Sequence, residues 1–541
     1  MSNSFRVLIA DPMSPRAADV LSAAAGVTVD VRDKVTPEEL ASIVGDYDGL
    51  IVRSRSKVTA DVINAGAKLK IIGRAGIGVD NIDVSAASRR GIIVENTPSG
   101  NAVTTAEHAL CLLLSLARHI PQATASMRAG KWEKNKFKGH ELLGKTIGIV
   151  GLGNIGRIVA DRARGLRMNV VGHDPFIGKE AAQRLGVELV DFDGLCERAD
   201  FITVHAPLTN ATRGLLGAEA LARVKPGVLI VNAARGGIVD ERALLAALDS
   251  GRVAGAALDV FVEEPPPADH PLVKHPRVIS TPHLGASTGE AQEKVAIEIA
   301  EQFAAYAATG EVRNAVNLAP VPAEVRAELA PWLSLCTQMG SLVGQLAHGG
   351  LGGGGQAIDE LTVEVAGDVA KLGASPCASA ALVGLLRTFM DFPVNEVNAP
   401  IIASERGLKV NEIKRHRGVD HSSSVTLRAR GGDSERLVKG TLYHIGDRVA
   451  SRVVQIDRFL VETKPHGRVL VVLNQDRPGV IGAVGTLLGG RGINVNSLHV
   501  GLDKQTGVAI ALWNVDAEID DALLGEVNAL SQVTHAQVVQ L

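Results

Sequence analysis

Thr146-Ile147-Gly148-Ile149-Val150-Gly151-Leu152-Gly153-Asn154-Ile155-Gly156 decides the fold. Its first five residues are a short apolar run rich in β-branched side chains, as a buried parallel strand requires. The run leads into Gly151-x-Gly153-x-x-Gly156, a helix-like stretch at 157–166, a second strand at 169–173, and Asp174 at that strand's end. Taken in this order, these parts make a dinucleotide-binding βαβ unit. The glycines let the backbone approach closely, and a pyrophosphate rests on the helix N-terminus. A GxGxxG alone is weak, because glycine-rich turns are common. Asp174, 18 residues past Gly156, strengthens it. Its carboxylate can accept hydrogen bonds from an adenosine ribose and would repel a 2′-phosphate, so the cofactor is expected to be NAD rather than NADP.

Upstream, residues 5–98 repeat a strand–helix rhythm, with strand candidates at 7–10, 27–31, 50–52, 69–72 and 92–94. That argues for a smaller parallel α/β domain of flavodoxin-like type. Arg53 and Arg74 each follow one of these strands. Ligands of open α/β sheets bind beyond the strand carboxyl ends, so both are candidates for an anionic substrate; the plainer alternative is solvated charge at a loop mouth. Gly76-Ile77-Gly78 lacks a third glycine and runs into Val79-Asp80-Asn81, and so is not read as a second phosphate loop. Thr104-x-x-Glu107 and Ser287-x-x-Glu290 read as capping boxes. They open helices running to about His119, before Pro121, and to about Ala308. These predict two crossings between domains, so that a Rossmann-type doubly wound domain (99–290) is inserted in the first domain (1–98 plus 291–317). Strands at 201–205, 228–231, 256–258 and 278–280 bring the inserted sheet to six or more.

Residues 317–322 read as a linker. An α+β unit is expected from 323 to 465, with helices at 324–345 and 378–391 and strands near 361–365, 425–429 and 449–456. Gly349 to Gly355 is a flexible turn within it, and Lys414-Arg415-His416-Arg417 is a small basic cluster best read as a solvated face. From 467 to 541 the order strand, helix, strand, strand, helix, strand is ferredoxin-like, with Pro478 expected in a first helical turn.

A chain of 541 residues is too long for one core. With 56 basic against 59 acidic residues, there is no electrostatic case for nucleic acid or an anionic membrane. The longest apolar run, 109–117, cannot span a bilayer, and the first strand is too short for a signal-peptide core, so a cytoplasmic place is expected. Cys111, Cys196, Cys336 and Cys377 show no ligand spacing. They read as buried thiols, and no metal site is expected.

Three polar residues at strand ends are placed to converge on the cofactor. Histidine suits proton exchange with a hydroxyl near neutral pH, as His283 offers. A guanidinium suits a substrate carboxylate and developing oxyanion, as Arg235 offers. Glu264 supplies a carboxylate to orient the imidazole. Each alone is as readily a loop polar residue; together, downstream of the NAD fingerprint, they suggest oxidation of a hydroxy acid.

Arg235 in Asn-Ala-Ala-Arg-Gly-Gly-Ile-Val-Asp, Glu264 in Leu-Asp-Val-Phe-Val-Glu-Glu-Pro and His283 in Thr-Pro-His-Leu-Gly-Ala-Ser-Thr resemble the D-isomer-specific 2-hydroxyacid dehydrogenases, over about residues 5–317. The tail, with Asp476-Arg477-Pro478-Gly479 and Gly492-Ile493-Asn494-Val495, is similar to an ACT regulatory domain, and the unit before it resembles an intervening, allosteric-substrate-binding domain. The combination is that of the long form acting on D-3-phosphoglycerate at the start of the phosphorylated serine route. The resemblance implies a catalytic Arg235, Glu264 and His283. It implies NAD contacts at Gly151, Gly153, Asn154, Ile155, Gly156, Asp174, Ala206, Ala233, Ala234, Arg235, Asp259, His283, Gly285 and Ala286. Substrate contacts are implied at Arg53, Ser54, Arg74 and Asn101. L-serine is implied as effector at Asp476, Gly479, Val480 and Asn494 of a homotetramer, with 2-oxoglutarate as a side substrate. Some members carry an aromatic residue where this chain has Asn474.

Overall fold

The computed structural model describes residues 4–318, 321, 323–349, 358–416, 422–432, 434–446 and 448–541; within them the chain forms four sheets. In the first, Phe5–Ile9 lies between Val27–Val31 and Gly49–Val52, and Ile71–Arg74 and Ile93–Asn96 extend it. Every pairing is parallel, and the strand order is the flavodoxin-like one. Successive residues of a strand point to opposite faces. Leu8, Leu50 and Ile72 therefore pack on one side, while Ile9, Ile51 and Ile71 meet Val295, Ile299 and Phe303 of the returning helix Gly289–Thr309 on the other. The chain beyond that helix stays with this sheet: Val316 N–H donates to the Val94 carbonyl at 2.8 Å, and Asn317 Oδ1 accepts from Val94 N–H at 2.9 Å.

The second sheet has seven strands in the order Val278–Ser280, Val253–Leu258, Val228–Asn232, Phe201–Val204, Thr146–Val150, Asn169–His173, Glu188–Leu189, all parallel. The chain winds outward in both directions from Thr146–Val150, which leaves a crevice at the strand carboxyl ends. Helix Ala102–Ala117 buries Leu112, Leu113 and Leu116 against this sheet.

Several sequence expectations need correction here. Thr104 is not a cap: the helix begins at Ala102, with Asn101 at the N-cap position. The helix ends at Ala117, and Pro121 sits in the first turn of a second helix, Ile120–Arg128, joined through His119 at φ 51°. Proline is tolerated there because a first-turn N–H has no intrahelical partner. Thr288 rather than Ser287 caps the returning helix, accepting from Ala291 N–H at 3.2 Å, because Ser287 is held in the preceding turn by its N–H to Leu284 O. Cys111 is exposed on the outward face of its helix; the other three cysteines are buried.

The third sheet runs Lys409–Arg415, Glu360–Gly367, Ser423–Gly431, Ser434–Ile445, Arg448–Ile456, Phe459–Thr463. It is backed by helices Ala323–His348 and Ala374–Leu386. Three of these strands were not expected, namely Lys409–Arg415, Ser434–Ile445 and Phe459–Thr463. The first and last are sheet edges, where charged residues blur the period-two pattern. Arg415 pairs with Glu364 at 2.8 Å. Residues 350–355 of the glycine turn, Arg417, and residues 319, 320 and 322 of the linker lie outside the described residues. The last sheet, Val495–Asp503, Val508–Val515, Arg468–Gln475, Val533–Gln540, is antiparallel and has the split βαβ order. Its first helix starts at Val480 behind Gly479 at φ 95°, which places Pro478 ahead of the cap rather than in the first turn.

Candidate active site

The glycine loop builds a cradle at the crevice. A Cβ at Gly156 would stand 2.0 Å from Gly151 O, so strand and helix touch there, whereas one at Gly153 would stand in open space. Helix Asn154–Gly165 has no side-chain cap, which leaves its first-turn N–H groups free for an anion. Asn154 donates instead to Pro98 O at 3.3 Å, and Ile155 is half-buried. Asp174 closes the cradle, accepting from Leu152 N–H and Phe176 N–H at 2.8 Å each. Its carboxylate thus also pins the glycine loop, a role the sequence did not suggest. Ala206 is half-buried and Ala233 and Ala234 are buried at the neighbouring strand ends. Next to them, burial pushes His205 down to about 4, so it is neutral, with Nε2 2.9 Å from Thr203 Oγ1.

Asp259 is sealed from solvent. It accepts from Thr281 Oγ1 at 2.6 Å, Leu284 N–H at 2.7 Å and Gly285 N–H at 2.8 Å, and meets His108 Nε2 at 3.1 Å. Burial works to raise its carboxyl, but these partners outweigh it and hold it below the usual range. Its carbonyl also takes the N–H of His283 at 2.9 Å. Asp259 therefore anchors the turn that carries His283, with buried Gly285 and half-buried Ala286 just beyond.

On that turn His283 Nδ1 lies 2.7 Å from Glu264 Oε2, while Glu264 Oε1 accepts from Phe261 N–H at 3.1 Å. Burial favours a higher Glu264 pKa, yet the His283 hydrogen bond and charge, the Phe261 N–H and the Arg235 charge bring it below the ordinary carboxylate value. With Nδ1 engaged, Nε2 is the ring nitrogen left for a substrate.

Three guanidinium groups gather nearby. Arg235 donates from Nε to Asp80 Oδ2 at 2.8 Å and from Nη1 to Ala234 O at 2.7 Å. Arg74 is brought down to about 10, first by burial and then by the charge of Arg235, and stays a cation at neutral pH. Its buried Nε has no hydrogen-bond partner. Gly76 and Gly78 make room for both, since a Cβ would stand 1.7 Å from Arg74 Nη1 or 1.6 Å from Arg235 Nη2. Two glycines directly after a strand were the signal for this. Arg53 donates from Nη1 to Pro12 O at 3.2 Å, and burial lowers its pKa. Its N–H and that of Ser56 are held by buried Asp11 at 2.6 Å and 3.1 Å, leaving Ser54 exposed at the loop tip. Asn101 Oδ1 is buried without a partner.

Farther off, the last unit holds a cavity of about 50 Å³ lined by Asn474, Asp476, Arg477, Val480, Trp513 and aliphatic neighbours. Asn494 and Gly479 are not among its lining residues; Asn494 N–H donates to Asp516 Oδ1 at 3.0 Å. Among the described residues no group of three or more His, Cys, Asp or Glu is arranged to hold a metal, and no helix is long and apolar enough to cross a membrane.

The chain matches the family model for the D-isomer specific 2-hydroxyacid dehydrogenase NAD binding domain over residues 110–285. It matches the D-3-phosphoglycerate dehydrogenase intervening domain over 328–457 and the ACT domain over 468–532. It is 43% identical over 537 residues to a D-3-phosphoglycerate dehydrogenase of Synechocystis, covering 99% of this chain and 95% of that one. Its identity to one of Archaeoglobus fulgidus is also 43%, covering 99% and 100%. Among solved structures, a glyoxylate reductase from Paecilomyes thermophila superposes with a TM-score of 0.54 at 32% identity, covering 58% of this chain and 98% of that one.

Proposed function

We take as premise that the chain belongs to the D-3-phosphoglycerate dehydrogenase family, and propose that it oxidises D-3-phosphoglycerate to 3-phosphohydroxypyruvate with NAD. The observation that carries this reading is the gathering of Arg53, Arg74 and Arg235, the last of them within electrostatic reach of Glu264, with Arg74 Nε bare. A buried donor without a partner is costly, and a substrate bearing both a carboxylate and a phosphate supplies acceptors for all three cations. The open space at Gly153, the uncapped helix and the acid at Asp174 fit NAD, held at its pyrophosphate by the helix N-terminus and at its ribose by Asp174.

In this reading Arg235 holds the substrate carboxylate, while Arg53 and Arg74 take the phosphate, with Ser54 and Asn101 alongside. His283 Nε2 accepts the C2 hydroxyl proton as the O–H bond breaks. Glu264, on Nδ1, stabilises the imidazolium that forms. Bound NAD supplies the acceptor for the hydride that leaves C2.

The rest of the proposal concerns regulation and assembly. L-serine is proposed as effector of the ACT unit, with Asp476 taking its ammonium and Asn494, Gly479 and Val480 meeting its polar atoms across a pair of chains. The cavity at Asp476 and Val480 supports that placement. A homotetramer is proposed, supported by the exposed Ile120, Met127 and Trp132, an apolar set that self-association would cover. Because 2-oxoglutarate also carries two carboxylates, its reduction is proposed as a side activity on the same arginines.

Steady-state rates on a panel of 2-hydroxy and 2-oxo acids, with NAD(H) and NADP(H), with and without serine, test the reading. NAD-linked oxidation of D-3-phosphoglycerate is expected to have the highest kcat/KM. A higher value for glyoxylate, hydroxypyruvate or 2-oxoglutarate reduction would overturn it.

A further inference from the structure

We infer that Asp80 is a positioning residue for the reaction, holding the Arg235 guanidinium across the crevice in the orientation that receives the substrate carboxylate. The inference rests on the proposed role of Arg235. Asp80 stands on the loop after strand Ile71–Arg74 of the first sheet, whereas Arg235 follows strand Val228–Asn232 of the second, so the 2.8 Å contact of Nε with Asp80 Oδ2 spans the two sheets. The turn behind Arg235 is already fixed: Asn232 Nδ2 donates to Arg235 O at 2.9 Å, and Ala234 N–H donates to Asn232 Oδ1 at 3.1 Å.

That leaves the long side chain as the mobile part, and it is fastened at two points, Nε on Asp80 and Nη1 on Ala234 O. Nη2 lies over Gly78, where any side chain would collide with it. Without Asp80, the nearby Arg74 charge would drive the Arg235 guanidinium away. The aspartate offsets one charge and ties the group in place before substrate arrives, which removes an ordering cost from the reaction.

A purely structural purpose fits poorly. Asp80 is 67% exposed, and an ion pair so open to water contributes little to folding. Its removal should therefore appear in kinetics rather than in stability.

The test is a double-mutant cycle of Asp80→Asn with Arg235→Lys, with Asp80→Glu as the conservative variant. Each is assayed for kcat and KM, NAD dissociation constant and melting temperature. Asp80→Asn is expected to lower kcat about 10- to 100-fold with a smaller change in KM. NAD binding and melting temperature should stay near wild type, and Asp80→Glu should recover part of the loss. In the double variant the two losses should be strongly non-additive, because both act through one guanidinium. Additive losses, a fall in melting temperature that accounts for the lost activity, or a wild-type-like Asp80→Asn would each overturn the inference. Wild-type oxidation of D-3-phosphoglycerate is measured first, so its absence counts against the function alone. The cycle then runs on whichever 2-hydroxy acid of the panel the wild type oxidises best.

Discussion

His283 holds a left-handed backbone at φ 52°, a conformation that costs a non-glycine residue about 1 kcal/mol or more. The turn is kept there by Asp259, whose carbonyl takes the His283 N–H and whose carboxylate takes Leu284 and Gly285. His283→Ala is expected to cut turnover about 10²–10⁴-fold with little change in NAD affinity, as fluorescence titration beside steady-state rates would show. Near wild-type turnover removes His283 from the chemistry. Glu264→Gln should keep partial activity with a displaced pH–rate profile, since the His283 Nδ1 loses its carboxylate partner; an unmoved profile counts against the pair. Asp174→Ala should weaken NAD by about 1.5–3 kcal/mol, about ten- to 150-fold in dissociation constant, and relax discrimination against NADP. A wild type that already uses both cofactors contradicts that assignment. The positions of Arg235 and His283 just past strand ends could be read from sequence because each stands within three residues of an apolar run, whereas Glu264 lies six residues beyond its strand. Asp80 and Asp11 could not, because their partners, Arg235 and the Arg53–Ser56 loop, are brought to them only by folding.

At the scale of elements, strand Ile93–Asn96 carries Glu95, fully buried. Its Oε1 accepts from Arg313 N–H at 2.6 Å, and its Oε2 has no partner. Burial pushes it from 4.5 up to about 8, against the pull of the Arg313 N–H. The folded pKa lies above the unfolded one, so the stability this group contributes is whole below about pH 4.5. It declines as pH rises and is gone above about 8. Glu95→Gln is expected to raise stability at pH 9 by about 2–5 kcal/mol and to change little at pH 4.5, in denaturant melts at the two values; equal effects at both would contradict it. Nothing in the sequence marks Glu95, whose pairing is with a segment more than two hundred residues away. Buried strands of the two parallel sheets stood out as apolar runs, whereas edge strands such as Lys409–Arg415, exposed at nearly every position, did not. Capping patterns named the right helices but the wrong first residues, because a Ser/Thr-x-x-Glu match does not say where helical backbone begins.

Across the whole molecule, polar contacts join the last unit to the first. Gln345 Nε2 donates to Gln540 O at 2.8 Å, and its Oε1 accepts from Gln540 N–H at 2.9 Å, which ties helix Ala323–His348 to the last sheet. Asn395 Nδ2 donates to Gly91 O at 2.8 Å, and Arg89 pairs with Glu405 at 3.1 Å, joining the third unit to the end of helix Val84–Arg89 and the turn that leads from it into strand Ile93–Asn96. The proposed binding at Asp476 would act on the crevice through these seams, with coupling of about 1–3 kcal/mol, or five- to 150-fold in affinity. Serine is expected to inhibit, and Asp476→Ala to abolish inhibition while turnover without serine stays near wild type. Calorimetry showing no serine binding at millimolar concentration would leave the ACT unit a structural part only. The succession of units was legible because strand and helix periods change along the chain; the seams were not, since Gln345 and Asn395 carry no local pattern.

The most direct measurement is the ratio of kcat/KM for D-3-phosphoglycerate to that for D-glycerate, which lacks only the phosphate, with NAD as oxidant. If Arg53 and Arg74 receive the phosphate, the ratio is expected to be at least about 100. It should fall toward one in Arg74→Ala. Equal use of both acids by the wild type would contradict the account.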